Sequence, residues 1–232
     1  MTMSDFIIIE ENLTPNDIND IYYLIDQFGT WVDGNVSYFD DDGGKNTDGI
    51  KKNLQLSFSD NSGPQKLSDI VFSRNNSHKS FQDYTIPIES TIPLISRTGV
   101  GGYYNPHHDN PSNGEFSTTI FLNDNFEGGE LCLWINDKEE RIKLSAGGSV
   151  TYKTGIPHMV RKVTKGHRDA VVFWTRSPFS DPFDIEIYRG LAKALRYLKR
   201  NHNATLEEAN EDPAFILMNL RNSLIRKSFK KS

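Results

Sequence analysis

The sequence predicts an α+β fold: a β core, built as a sandwich or small barrel, between helical flanks. Three observations carry this. Between Tyr84 and Ser177, seven short apolar or β-branched runs are separated by Gly, Asn, Asp and Pro clusters. Before them, apolar residues recur at helical spacing behind a capping signal. After Ser177 the helical spacing returns. No composition shift marks a linker, so the expectation is one catalytic-sized domain over 1–232. Its β core would span 84–177, with N-terminal support over 1–83 and C-terminal helices over 178–232.

Composition agrees with a folded chain. The 232 residues are 36% hydrophobic, 25% charged and 11% aromatic, unlike a disordered segment. A net charge of −5 lacks the concentrated positive surface that nucleic-acid binding requires. The single cysteine, Cys132, excludes an intrachain disulfide and any cysteine-rich zinc or iron–sulfur site, and fits a reducing, cytoplasmic setting. Met1–Glu11 has no positively charged start before Ile7–Ile9, so no signal peptide is expected. No apolar run approaches the ~18 residues of a membrane span.

Taken in order, Phe6–Ile9 reads as the start of a sheet. Thr14-Pro15-Asn16-Asp17 reads as a helix start, with Thr14 as cap and Pro15 in the first turn. Ile18, Ile21, Tyr22, Ile25 and Phe28 then share a face. Residues 40–64 read mostly as loop, broken by a short helical piece at 51–58, and are a candidate flap over a site. Ser68–His78 reads as a short helix. The β runs are Ile86–Ser96, Ser117–Leu122, Glu130–Ile135, Arg141–Leu144, Ser149–Tyr152, Met159–Val163 and Ala170–Thr175. Asp181-Pro182 and Asp212-Pro213 begin two terminal helices. The first carries Tyr188, Leu191, Leu195 and Leu198 on one stripe; the second ends in a solvated basic tail.

Six histidines are present, and two stand in His-x-Asp triplets: His107-x-Asp109 and His167-x-Asp169. In extended chain, residues i and i+2 point the same way and can grip one ion together. Two histidines and one carboxylate on one face of an octahedron leave three positions open, the geometry of non-haem Fe(II) oxygenases. His158, 49 residues after Asp109, supplies a third ligand to the first triplet. His108 could replace His107, but its partner two places on would be Asn110, poorer for iron. The second triplet has only His202 after it, in helical sequence, and is rejected as a metal site. His78 and His202 read as surface residues. Arg168 suits a carboxylate bidentately, although by itself it would read as an exposed arginine at a strand edge.

Together these residues resemble the 2-oxoglutarate/Fe(II) dioxygenase superfamily, and within it the prolyl 4-hydroxylase branch. The resemblance is carried by Gly99–Asp109, Thr119–Asn123, Glu127–Leu131, Ala146-Gly147-Gly148, Pro157-His158 with Val160, Val163 and Gly166, then Arg168 and Phe173-Trp174. It implies a double-stranded β-helix, or jelly roll, with Fe(II) on His107, Asp109 and His158 and the distal carboxylate of 2-oxoglutarate on Arg168. It implies that Trp174 lines the cofactor pocket and that Tyr104 stands where substrate approaches. O2 is the co-substrate, and ascorbate is expected as an accessory reductant. The implied reaction hydroxylates a prolyl residue in a peptide or protein, proline-rich ones among the candidates, releasing succinate and CO2; the alternative is a free amino acid or other small molecule. Three departures stand out. Thr98 occupies a position that is often tyrosine in the family, Phe121 replaces a second pocket tyrosine, and no arginine lies between Arg97 and Arg141.

Overall fold

A computed structural model describes residues 4–37, 49–179, 181–198, 205, 208 and 211–229. Its contacts divide the chain into one unit over Ser4–Arg176 and a second built on the residues from Ser177 onward.

The larger unit is a jelly roll. One sheet joins β1 (Phe6–Ile9), β12 (Ser149–Lys153), β8 (Phe116–Phe121), β15 (His167–Arg176), β6 (Leu94–Gly99), β4 (Leu54–Phe58) and β2 (Gly29–Asp33) in that order, with β5 (Glu89–Ser90) also paired to β15. The second sheet runs β11 (Lys138–Ile142), β10 (Leu131–Ile135), β13 (His158–Val160), β7 (Tyr103–His107), β3 (Lys51–Lys52). A short ribbon pairs β14 (Val163–Lys165) with β9 (Glu127–Gly128). Every pairing is antiparallel.

Strand alternation gives the large sheet two different faces. Leu56, Ile95, Ile120, Val171 and Phe173 share one apolar cluster with Ile21, Leu24 and Ile25 of α1 (Pro15–Phe28) and with Leu67, Val71 and Phe81 of α2 (Ser62–Ser77) and α3 (Lys79–Thr85). Their neighbours Gln55, Ser96, Thr98, Thr119, Arg168 and Trp174 line a cavity. Between the sheets, Phe121, Val150 and Tyr152 pack with Leu131, Leu133, Ile142 and Leu144.

Helix α1 starts as expected. Thr14 accepts from the Asp17 amide, and Asp17 accepts in return from the Thr14 amide at 2.8 Å, a closed capping box. Two motif glycines have conformational reasons. Gly128 (φ +70°) and Gly147 (φ +93°) lie in the left-handed region, and a Cβ would stand 2.2 Å from the Lys162 carbonyl oxygen and 2.3 Å from that of Leu13 respectively. Gly147 also receives the amides of Asn12 and Leu13, tying the N-terminal segment to the entry of β12.

Several boundaries differ from the sequence reading. Residues 51–58 are two strands, not a helical piece, so the expected loop is largely sheet in its described part; residues 40–48 lie outside the described residues. The segment alternates with period two. Leu56 faces the helices, while Asn53 and Gln55 face the cavity, and that polar face imitates a loop. Helix α2 begins at Ser62, six residues before the expected start. Tyr103–His107, which follows Gly102 and contains Pro106, is a strand held from both sides by β3 and β13. A helix begins after each predicted Asp-Pro signal. In α4 (Pro182–Tyr197) Asp181 accepts from the Phe183 amide, and Asp212 accepts from Ala214 at the start of α5 (Pro213–Phe229). Within this unit the two helices pack together, and Lys227 reaches Asp184 at 3.5 Å. His202, Lys230 and Lys231 lie outside the described residues.

Candidate active site

His107 ends β7 and His158 opens β13, and the ladder places them directly opposite each other. Asp109 follows two residues after His107. One ligand atom from each of the three side chains falls within 4.8 Å of the others, and among the described residues this is the only such cluster. The two imidazole centres are 4.2 Å apart. One Asp109 carboxylate oxygen lies 3.9 Å from His107 Nε2 and 3.6 Å from His158 Nε2.

The surrounding bonds set the chemistry of these donors. His107 Nδ1 faces the Asn105 carbonyl at 2.8 Å and His158 Nδ1 faces that of Ile156 at 2.9 Å. A carbonyl only accepts, so each Nδ1 carries a proton, and Nε2, on the Asp109 side, is the nitrogen placed to ligate. Burial, and then His158, push the His107 pKa down to about 3, so this ring is neutral at physiological pH, as a metal ligand must be. The other Asp109 oxygen accepts from Ser117 at 2.7 Å, the kind of outer hydrogen bond that orients a ligating carboxylate. Two imidazoles and an oriented carboxylate are the donor set that suits Fe(II).

Arg168 stands on β15 between β8 and β6, with Thr98 opposite it in the ladder. It is 3% exposed, which overturns its reading as an edge arginine. A central strand sends its alternate residues inward, and Arg168 has the inward parity. Its guanidinium carbon lies 4.9 Å from the centre of the Phe121 ring. Its Nε meets no hydrogen-bond partner among the described residues, nor does the buried indole Nε1 of Trp174 on the same strand face. Burial lowers the Arg168 pKa to about 10, which leaves it charged at neutral pH. A buried guanidinium is costly without an anion, so the cavity wall fits the far carboxylate of a small diacid.

The cavity measures about 440 Å3, and the three clustered side chains line it together with Arg168, Trp174, Thr98 and Tyr104. Tyr104 stacks on His107, with ring centres 3.5 Å apart and planes 14° from parallel. His108 also borders the cavity, but its Nδ1 turns to the Gly155 carbonyl at 3.1 Å and it does not join the cluster.

Among the lining or supporting residues that sequence reasoning missed are Lys51, Asn53, Gln55, Ser117 and Tyr152. Ser117 shares its face of β8 with Thr119 and Phe121, so period-two counting back from Phe121 finds it. Tyr152 is 2% exposed, and its ring meets His158 edge-on at 5.2 Å. Burial and the nearby Asp109 carboxylate hold its phenol well above the ordinary tyrosine range, so it stays a hydrogen-bond donor.

The comparisons with known proteins fit this geometry. A family model described as the 2OG-Fe(II) oxygenase superfamily matches residues 93–176. A PKHD-type hydroxylase of Thermosynechococcus vestitus is 32% identical over 209 residues, covering 86% of this chain and 90% of that protein. The chain belongs to the 2OG-Fe(II) oxygenase superfamily. A second relative of this oxygenase, a PKHD-type hydroxylase of Prochlorococcus marinus strain NATL2A, is 31% identical over 164 residues, or 68% of this chain and 71% of that one. Among solved structures, a prolyl hydroxylase of Trichoplax adhaerens in complex with a hypoxia-inducible-factor peptide shares the fold. Its TM-score is 0.59 at 18% identity, with 75% of this chain and 84% of that one covered. HygX of Streptomyces hygroscopicus, solved with nickel, 2-oxoglutarate and hygromycin B, shares it at a TM-score of 0.55 and 12% identity, covering 76% and 84%. The oxygenase is thus an oxidoreductase using Fe(II), 2-oxoglutarate and O2.

Proposed function

We propose that this oxygenase hydroxylates prolyl residues in a peptide or protein. His107, Asp109 and His158 would hold the iron, Arg168 would take the distal carboxylate of 2-oxoglutarate, and Thr98 and Trp174 would wall that cofactor. Bound there, Fe(II) with 2-oxoglutarate supplies the oxidising chemistry: one atom of O2 ends in succinate, released with CO2, and the other in the hydroxylated product. The chain's own part is placement. Ser117 orients Asp109, and the Asn105 and Ile156 carbonyls orient the two imidazoles. Tyr152 offers a proton-bearing hydroxyl in the cavity wall. Tyr104, stacked on His107, forms the surface that substrate meets.

The observation that carries the oxygenase roles is the buried, carboxylate-hungry Arg168 in the same cavity as the three-ligand cluster. Support for a peptide substrate comes from the carboxamides around the cavity. Asn53, Gln55, Asn110 and Asn113 border it, and carboxamides both donate and accept, as peptide groups require. The Trichoplax neighbour, which binds a peptide, has the same fold. The test is mass spectrometry of proline-rich peptides incubated with enzyme, Fe(II) and 2-oxoglutarate. A +16 shift localised to proline, with equimolar succinate, is expected. Succinate formation stimulated by small amino acids, and by none of the peptides, would move the assignment to the small-molecule alternative.

A further inference from the structure

Strand β8 connects the metal cluster to Arg168. At one end Ser117 bonds the Asp109 carboxylate at 2.7 Å. At the other the Phe121 ring lies 4.9 Å from the Arg168 guanidinium carbon. Thr119 stands between them on the same strand face and lines the cavity. A five-carbon diacid held by the cluster and by Arg168 must pass Thr119. Tyr152 of β12 is the ladder partner of Ser117 and lines the same cavity. Its ring is fixed in the core between the sheets, edge-on to His158. Its hydroxyl reaches those of Thr119 and Ser117, within range of the charges on Asp109 and Arg168. It therefore stands along the path of the diacid. An ionised carboxylate has about four lone-pair sites, and an arginine fork fills two. In a buried cavity the rest need donors too.

We propose that Tyr152 is a further cofactor-binding residue, which donates its hydroxyl proton to the distal carboxylate of 2-oxoglutarate beside Arg168. The near carboxylate has the metal to satisfy it; the distal one has Arg168 and needs a further donor. This assignment rests on the reading of Arg168 as the distal-carboxylate site. It requires no unpartnered group. The phenol proton turns about its C–O bond, and a carboxylate is a stronger acceptor than the neutral hydroxyls of Ser117 and Thr119.

The test is anaerobic calorimetry on the full-length, Fe(II)-loaded protein with two ligands. One is 2-oxoglutarate; the other is oxalate, a two-carbon diacid that can reach the metal but not Arg168. Tyr152→Phe removes only the hydroxyl and keeps the ring against His158. It should raise the dissociation constant for 2-oxoglutarate roughly tenfold, the effect of one hydrogen bond to a charged group, and leave that for oxalate within about twofold of the parent's. Unchanged oxalate binding also reports an intact fold and metal site. Equal losses for both ligands would make Tyr152 a support for His158 or a partner of the near carboxylate, and would overturn the assignment. So would an unchanged affinity for 2-oxoglutarate. Arg168→Ala, measured in parallel, separates the two readings. If it weakens 2-oxoglutarate while Tyr152→Phe does not, the Tyr152 assignment alone falls. If it leaves 2-oxoglutarate unchanged while Tyr152→Phe still costs tenfold with oxalate spared, the Arg168 reading falls and the Tyr152 assignment stands.

Discussion

The chain uses the same short pattern twice, with opposite results. In His107-x-Asp109 both side chains turn into the jelly roll, where His158 completes the cluster. In His167-x-Asp169 they turn outward, toward the helices. Asp169 is fully buried there, and both its oxygens are taken: Arg97 donates to them at 2.8 and 2.7 Å, and Tyr22 adds a bond at 3.1 Å. His167 stays half exposed at the strand end, 3.5 Å from the carboxylate. In the second triplet it is the middle residue, Arg168, that enters the site. The lesson is that strand parity, set by which face packs on the helices, decides what a His-x-Asp pair does.

The largest effects should break that contrast outright. Replacing His107, Asp109 or His158 with Ala should cost more than the roughly 10–100-fold that loss of an outer-shell partner costs, leaving no measurable iron-dependent turnover. Melting temperatures should stay near the parent's. Retained activity in all three variants would dissolve the distinction between the triplets. Asp169→Ala should behave oppositely. It strands the Arg97 charge and should cost about 3 kcal/mol of stability by denaturant unfolding, while iron affinity below the melting transition holds.

Arg168→Ala should raise the dissociation constant for 2-oxoglutarate by about 100-fold, since removing one member of a buried charge pair costs about 3 kcal/mol. Anaerobic titration of the iron enzyme measures it, and an unchanged constant would assign the diacid to another residue. Ser117→Ala should weaken iron binding roughly tenfold, read by competition with a chelator, without altering the affinity of separately added peptide at saturating metal.

The smallest effect lies far from the site, in the capping box. Burial alone would raise the Asp17 pKa, but the hydroxyl and amide of Thr14 together with Arg74 outweigh it and hold the carboxyl below its usual value. A depressed folded pKa means stability that is complete above the unfolded value of about 3.9 and lost as pH falls through the folded one. Thr14→Ala should therefore cost about 1 kcal/mol at neutral pH, with the difference from the parent shrinking in acid unfolding curves below about pH 4.

Much of this was legible in the chain. The first helix and its cap, the two Asp-Pro helix starts and most of the β runs follow from local signals. The cluster of His107, Asp109 and His158 was readable because i, i+2 geometry and spaced motifs constrain it. The wall formed by β3 and β4 was not, because Asn53 and Gln55 look like loop residues until Leu56 on the opposite parity is seen packing on the helices. Strand β7 was hidden for a related reason. Gly102 and Pro106 are turn residues in isolation, and only pairing to two neighbouring strands makes their segment extended.

By itself, then, the sequence determined the kinds of donor available, their order along the chain and the helix starts, all of which depend on residue chemistry and near neighbours. The tertiary structure alone decided which alternate residues faced inward. It buried Arg168, brought Lys51, Ser117 and Tyr152 to the cavity, and committed Asp169 to Arg97. Those outcomes depend on pairing between strands distant in the chain, which local periodicity does not encode.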